Sequence, residues 1–177
     1  MKLNLGCGLL KLDGFVNVDV EPLMAPDVLV DLTRVRWPWD DNSVDEAQAS
    51  HLLEHIPHGE PFYHFLRELY RVCKPGAKVL IVLPHPSHDC FLSDPTHVHA
   101  VMPGTVALFS KRYVEMKAAQ GDMLTPFYKL IGVDFDIQQF SYTFDPAVDK
   151  DDPELEWKAK HLRNIVFMWS AALTVVK

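Results

Sequence analysis

Leu3-Asn4-Leu5-Gly6-Cys7-Gly8, followed by Asn17-Val18-Asp19-Val20, decides the fold of this 177-residue chain. A hydrophobic run enters two glycines separated by one residue. A second apolar run then ends on a carboxylate. Glycine has no Cβ, so the backbone there turns sharply and comes close to a ligand. A carboxylate at the tip of the next strand can accept both hydroxyls of a ribose. The pattern describes a nucleoside pocket at the carboxyl ends of parallel strands.

Spacing narrows the ligand. A dinucleotide fingerprint needs a third glycine opening a helix, and its acid sits roughly 20 residues further on. Here no third glycine follows at that offset, and Asp19 lies eleven residues after Gly8. The Gly-Lys-Ser/Thr ending of a P-loop is absent. A ligand with a ribose and no phosphate fits better, and S-adenosylmethionine is one. On these residues the chain resembles the small class I SAM-dependent methyltransferases.

Later segments extend the resemblance from Leu3 to Lys177. They include Asp31-Leu32, Ser50-His51-Leu52-Leu53-Glu54-His55-Ile56, Leu69-Tyr70-Arg71-Val72-Cys73-Lys74-Pro75-Gly76 and Leu173-Thr174-Val175-Val176. The resemblance implies a Rossmann-like α/β sheet, mostly parallel, with SAM as cofactor. Gly6, Cys7 and Gly8 are then expected at the methionine part of the cofactor and Asp19 at the ribose. Asp31 and Leu32 are expected at the adenine, the carboxylate taking the exocyclic amine. His51 is expected near the sulfonium end. The implied activity is methyl transfer to a small-molecule or sugar-type acceptor. The alternative is a SAM-binding protein in which catalysis has degenerated, since fold does not establish function.

Hydrophobic periodicity supplies the elements. Lys2–Leu5, Phe15–Val20, Asp27–Val30, Val44–Ala49 and Lys78–Leu83 read as strands, the last buried on both faces. Only 9–14 separates Gly8 from Phe15, too little for a helical crossover, which takes about a dozen residues. The first crossover is therefore short and irregular. Glu60–Cys73 carries apolar residues three and four apart, an amphipathic helix stopped by Lys74-Pro75-Gly76. Thr105–Gln120 reads as one further helix. Phe135–Thr143 and Asn164–Val176 read as an antiparallel hairpin at one sheet edge, bridged by the exposed acidic stretch Asp145–Glu156.

His85–Pro103 is long for a loop and rich in His and Pro. Four histidines and two aspartates fall within fifteen residues, His85–His99. The loop is read as pinned by Asp–His and Asp–backbone bonds or as a lining of the acceptor site, with a bound metal the least favoured reading. His97, His51 and His88 are the candidate general bases, in that order, since imidazole titrates near neutrality. The order His51-x-x-Glu54-His55 is that of an inverted zinc-protease motif. Pro57 interrupts that stretch, and the series before it points to methyl transfer. His55 is therefore read as structural or pocket-lining, and no metal is expected.

Composition bounds the rest. The chain reads as one domain, 1–177, with 48% hydrophobic and 23% charged residues. A net charge of −7 argues against binding nucleic acid through its phosphates. Cys7, Cys73 and Cys90 are odd in number and widely spaced, which fits a reducing, cytoplasmic setting. No apolar run approaches the roughly 18 residues of a membrane span. No segment precedes the first strand to close over the cofactor, so other parts of the chain or a second subunit are expected to supply that cover.

Overall fold

Leu3 and Leu5 sit in the middle of a seven-stranded sheet, each flanked on both sides by small or branched apolar residues. Leu3 pairs with Val16 and Ala47, and Leu5 with Val18 and Ala49. The computed structural model describes residues 1–177. Its strands are β1 (Lys2–Leu5), β2 (Val16–Asp19), β3 (Val28–Leu29), β4 (Val44–Ser50), β5 (Cys73–Pro84), β6 (Phe135–Phe144) and β7 (Val166–Val175). Their order is β3-β2-β1-β4-β5-β7-β6. The first five run parallel, and β7 is antiparallel to both neighbours. The fold is the α/β, Rossmann-like arrangement expected, with the antiparallel pair at one edge.

Between Gly8 and Phe15 the chain makes only turns and irregular backbone. That short crossover has a consequence for the sheet. Right-handed connections moving from β1 outward to β2 and β3 lie on the face opposite those moving from β4 to β5. The outward ones contain no α-helix, so their face is thinly covered. In β5, Ala77, Val79, Ile81 and Leu83 are buried while Lys78 and Leu80 are exposed. The expectation of a strand buried on both faces is therefore wrong, because the helix that would cover the second face is missing.

The other face carries α1 (Glu60–Val72), which turns Phe62, Phe65, Leu66, Leu69 and Val72 inward. Those side chains join Leu3, Leu5, Val18 and Ala49 in one core. The chain passes from Val72 straight into β5, whose first residue Cys73 pairs with Val44. Lys74-Pro75-Gly76 thus belongs to the strand rather than to a turn, with Gly76 at φ +78° relieving the bend.

Beyond β5 the elements are shorter than their sequence suggests. The histidine-rich loop contains α2 (Asp89–Leu92). The single helix expected over Thr105–Gln120 is two, α3 (Pro103–Ala107) and α4 (Lys111–Ala119). Ser110 separates them, its hydroxyl accepting from the Tyr113 amide at 3.2 Å as a helix cap. Two further helices, α5 (Phe127–Ile131) and α6 (Leu155–His161), have no counterpart in the sequence reading. No helix is long and apolar enough to cross a membrane.

Candidate functional site

Gly6 and Gly8 leave β1 with φ of +63° and +49°, a conformation that side chains disfavour. At Gly6 an added Cβ would lie 2.7 Å from Leu52, so close packing requires glycine there. At Gly8 nothing stands within 4 Å of the Cβ position. The Gly8 amide donates to Asp19 Oδ2 at 2.8 Å and the Glu21 amide to Oδ1 at 2.9 Å. Two backbone donors therefore fix the carboxylate at the end of β2. Each oxygen keeps a second lone pair for a hydroxyl. Lys11 reaches across this turn, its Nζ lying 3.1 Å from Cys7 Sγ and 2.7 Å from the Met24 carbonyl.

Asp31 and Leu32 follow β3. Asp31 Oδ1 accepts from the Thr33 amide at 2.9 Å and from its hydroxyl at 2.6 Å. Burial works to raise its pKa, but the Thr33 hydroxyl and amide outweigh it and hold it below the usual value. The Leu32 carbonyl accepts from Trp37 Nε1 at 3.0 Å. Trp37 is in turn held by Glu68 of α1, whose Oε2 accepts from the Trp37 amide at 2.7 Å. The turn at Asp31–Leu32 is thus tied to the core through one tryptophan. Asp19, Asp31 and the glycine turn stand at the carboxyl ends of adjacent parallel strands, the side where open α/β sheets bind ligands.

The histidines divide by what they touch. His51 follows β4 at φ +51°, and its side chain is 46% exposed. Its Nδ1 lies 3.4 Å from Glu54 Oε1. His97 is nearly buried, between Phe91 and the His55 ring. Its Nδ1 donates to the Phe91 carbonyl at 2.8 Å. His88 has both nitrogens engaged. Its Nδ1 accepts from the Cys90 amide at 3.0 Å, and Nε2 donates to Asp145 at 2.9 Å. That leaves His88 no lone pair for taking a proton. His85 faces Ser87, and burial, with His88 adding to it, pushes its pKa down.

The loop brings His97 against the turn after β4, a meeting that spacing along the chain does not reveal. The amides of Val98 and His99 both donate to the Glu54 carbonyl, at 2.9 and 3.0 Å. Glu54, His55 and His97 converge there. His58 does not join them; it packs on the His99 ring instead. Glu54 and His55 are the functional candidates the sequence underrates. The adjacent acid and histidine in Leu-Glu-His-Ile were the available signal.

A cavity of about 920 Å³ opens beside the loop. His85 and Ser87 line it at the end of β5, Tyr142, Phe144 and Val166 from the edge strands, and Leu155 from α6. Its volume is that of a pocket for a small organic molecule.

Residues 14–81 match a family model described as a methyltransferase domain. No curated protein matches the chain. Solved structures do. A SAM-dependent methyltransferase from Archaeoglobus fulgidus superposes with a TM-score of 0.63 at 19% identity, over 98% of this chain and 85% of that one. A SAM-dependent methyltransferase from Methanosarcina mazei gives 0.57 at 13% identity, over 99% and 92%. The 1,6-didemethyltoxoflavin-N1-methyltransferase of Burkholderia thailandensis, with bound 1,6-didemethyltoxoflavin and S-adenosylhomocysteine, gives 0.53 at 12% identity, over 99% and 71%. At these identities the likeness is one of fold.

Proposed function

We propose that this chain, whose residues 14–81 match a methyltransferase-domain model and whose fold is that of solved SAM-dependent methyltransferases, moves a methyl group from S-adenosylmethionine to a small-molecule acceptor. The observation that carries the reading is the carboxylate of Asp19, fixed by the Gly8 and Glu21 amides beside a glycine turn with open space in front of Gly8. Gly6, Cys7 and Gly8 would hold the methionine part, Asp19 the ribose hydroxyls, and Asp31 with Leu32 the adenine. When bound, the cofactor supplies an already activated methyl on sulfur, so the protein's task is to align the acceptor with it.

The acceptor would enter by the 920 Å³ cavity at the end of β5, whose mixed apolar and polar lining suits a small organic molecule. Net charge and the absence of a recognisable nucleic-acid module favour that class over a polynucleotide. Residues 1–177 would act as a single domain.

An oxygen or amine acceptor must shed a proton, and His51 is the best-placed base. Of the three candidate bases it is the exposed one, its side chain 46% open against 10% for His88 and 8% for His97. His97, ranked first on sequence, is too enclosed for that task and suits a positioning role. His88 suits the pinning of the loop through Asp145. The test is methyl transfer from labelled SAM across a panel of small hydroxyl and amine acceptors. Once an acceptor is found, His51→Ala should cut the rate by about 10²–10⁴ with cofactor affinity unchanged. Full activity in that variant would remove His51 from the chemistry.

A further inference from the structure

Glu54 presents a problem that methyl transfer does not solve. Its side chain is 1% exposed, yet neither carboxylate oxygen has a hydrogen-bond partner. His51 Nδ1, at 3.4 Å from Oε1, is within ion-pair reach but forms no hydrogen bond. An unpaired charge in the interior is strongly unfavourable, and such groups are ordinarily paired or bound to a metal.

His55 and His97, the other rings beside it, engage their Nδ1 atoms elsewhere. Thr96 gives its hydroxyl proton to Asp94 Oδ1 at 2.6 Å, so it can only accept from His55 Nδ1, at 3.0 Å. His97 Nδ1 gives its proton to the Phe91 carbonyl. With both Nδ1 atoms so engaged, the Nε2 atoms are the ones left for a ligand, and His97 Nε2 also lies 3.7 Å from Asp94 Oδ2. One ligand atom from each of Glu54, His55 and His97 lies within 4.8 Å of the others. A carboxylate and two imidazole rings meet there, and a cation would satisfy all three together. Histidines steered by an outer carbonyl and an outer Thr–Asp pair are the usual supports of a metal site.

We propose that Glu54, His55 and His97 bind a divalent transition-metal ion, zinc in type. Two imidazoles and one carboxylate suit zinc rather than magnesium or calcium, which prefer all-oxygen sites. Three protein ligands leave a fourth position open, as in catalytic rather than structural zinc sites. His51 stands beside Glu54 on the exposed side. The site goes beyond the methyl-transfer reading and does not depend on it.

The test uses the full chain, stripped with a chelator and titrated with zinc chloride by calorimetry. Cobalt(II) is added in parallel to read the ligand field by visible absorption. The expected result is one zinc per chain and a cobalt spectrum of low coordination number. Glu54→Gln and His97→Ala should each weaken zinc by about tenfold or more, and Thr96→Val, which removes only an outer support, by roughly tenfold. His58→Ala should bind as wild type does. Circular dichroism reports whether each variant is folded, and if His97→Ala is not, the nearly isosteric Glu54→Gln decides. No stoichiometric zinc, or zinc held equally by Glu54→Gln, overturns the site. Zinc binding without any binding of S-adenosylhomocysteine would leave the site standing and remove the cofactor reading.

Discussion

Glu68 and Glu54 are both buried carboxylates that sit close to the same sheet, and their surroundings differ in every respect. Glu68 accepts from the Trp37 amide and from Arg71 Nε and Nη2, at 2.7, 2.8 and 2.7 Å. Arg71 also reaches Asp41 and the Trp37 and Trp39 carbonyls. The Glu54 carboxylate, on the ligand side of β4, accepts no hydrogen bond. The first is a completed network that fixes the turn carrying Leu32. The second is an unpartnered carboxyl group beside His51, His55 and His97. A buried acid with all its partners is architecture, whereas one without them marks the end of the sheet where ligands are expected.

Breaking the satisfied acid should produce the largest effect. Glu68→Ala leaves the Trp37 amide unpaired and Arg71 with Asp41 as its remaining carboxylate, a loss of about 2–3 kcal/mol in denaturant unfolding. A loss below about 1 kcal/mol would mean that the network contributes nothing to stability. The Trp37 link predicts that the same variant also loosens the Asp31–Leu32 turn.

Acid should expose the same contrast on a smaller scale. Burial works to raise the Glu68 pKa, but Arg71 and the Trp37 amide outweigh it, so the folded value lies below the ordinary 4.5. A lowered folded pKa contributes stability that is full above the unfolded value and is lost as pH falls through the folded one. Thermal melting should therefore decline below about pH 4.5. Glu68→Gln should flatten part of that decline, and an unchanged acid limb would contradict the pairing.

Glu54→Gln should have the smallest effect on stability. In chelator-treated protein it replaces a buried carboxyl group that has no hydrogen bond, so unfolding stability should stay within about 1 kcal/mol of wild type or rise. A larger loss would mean that the carboxylate has a partner in the folded chain.

The two acids also differ in how far the sequence discloses them. Glu68 lies in α1, whose three-and-four spacing of Phe62, Phe65, Leu66 and Leu69 is visible in one local window. The same holds for β1, β2 and β4, bounded by glycines, prolines and turn residues. Asp19 could be placed because its strand follows the glycine turn directly. The isolation of Glu54 could not be read, because it depends on a distant loop docking through two amides onto its carbonyl. The carboxyl-terminal part misleads for a related reason. The helices α3, α5 and α6 are too short to show a period, and Ser110 caps a helix in a stretch that reads as continuous.

The central claim is that the carboxyl ends of β1, β2 and β3 form a SAM site organised by Asp19. It is tested most directly by calorimetric titration of the wild type and Asp19→Ala with S-adenosylhomocysteine. The account predicts one site per chain in the wild type. Asp19→Ala should bind at least about tenfold more weakly, since each charge-assisted hydrogen bond contributes roughly 1.5–3 kcal/mol. A folded wild type that shows no binding, or an Asp19→Ala variant that binds equally well, would contradict it.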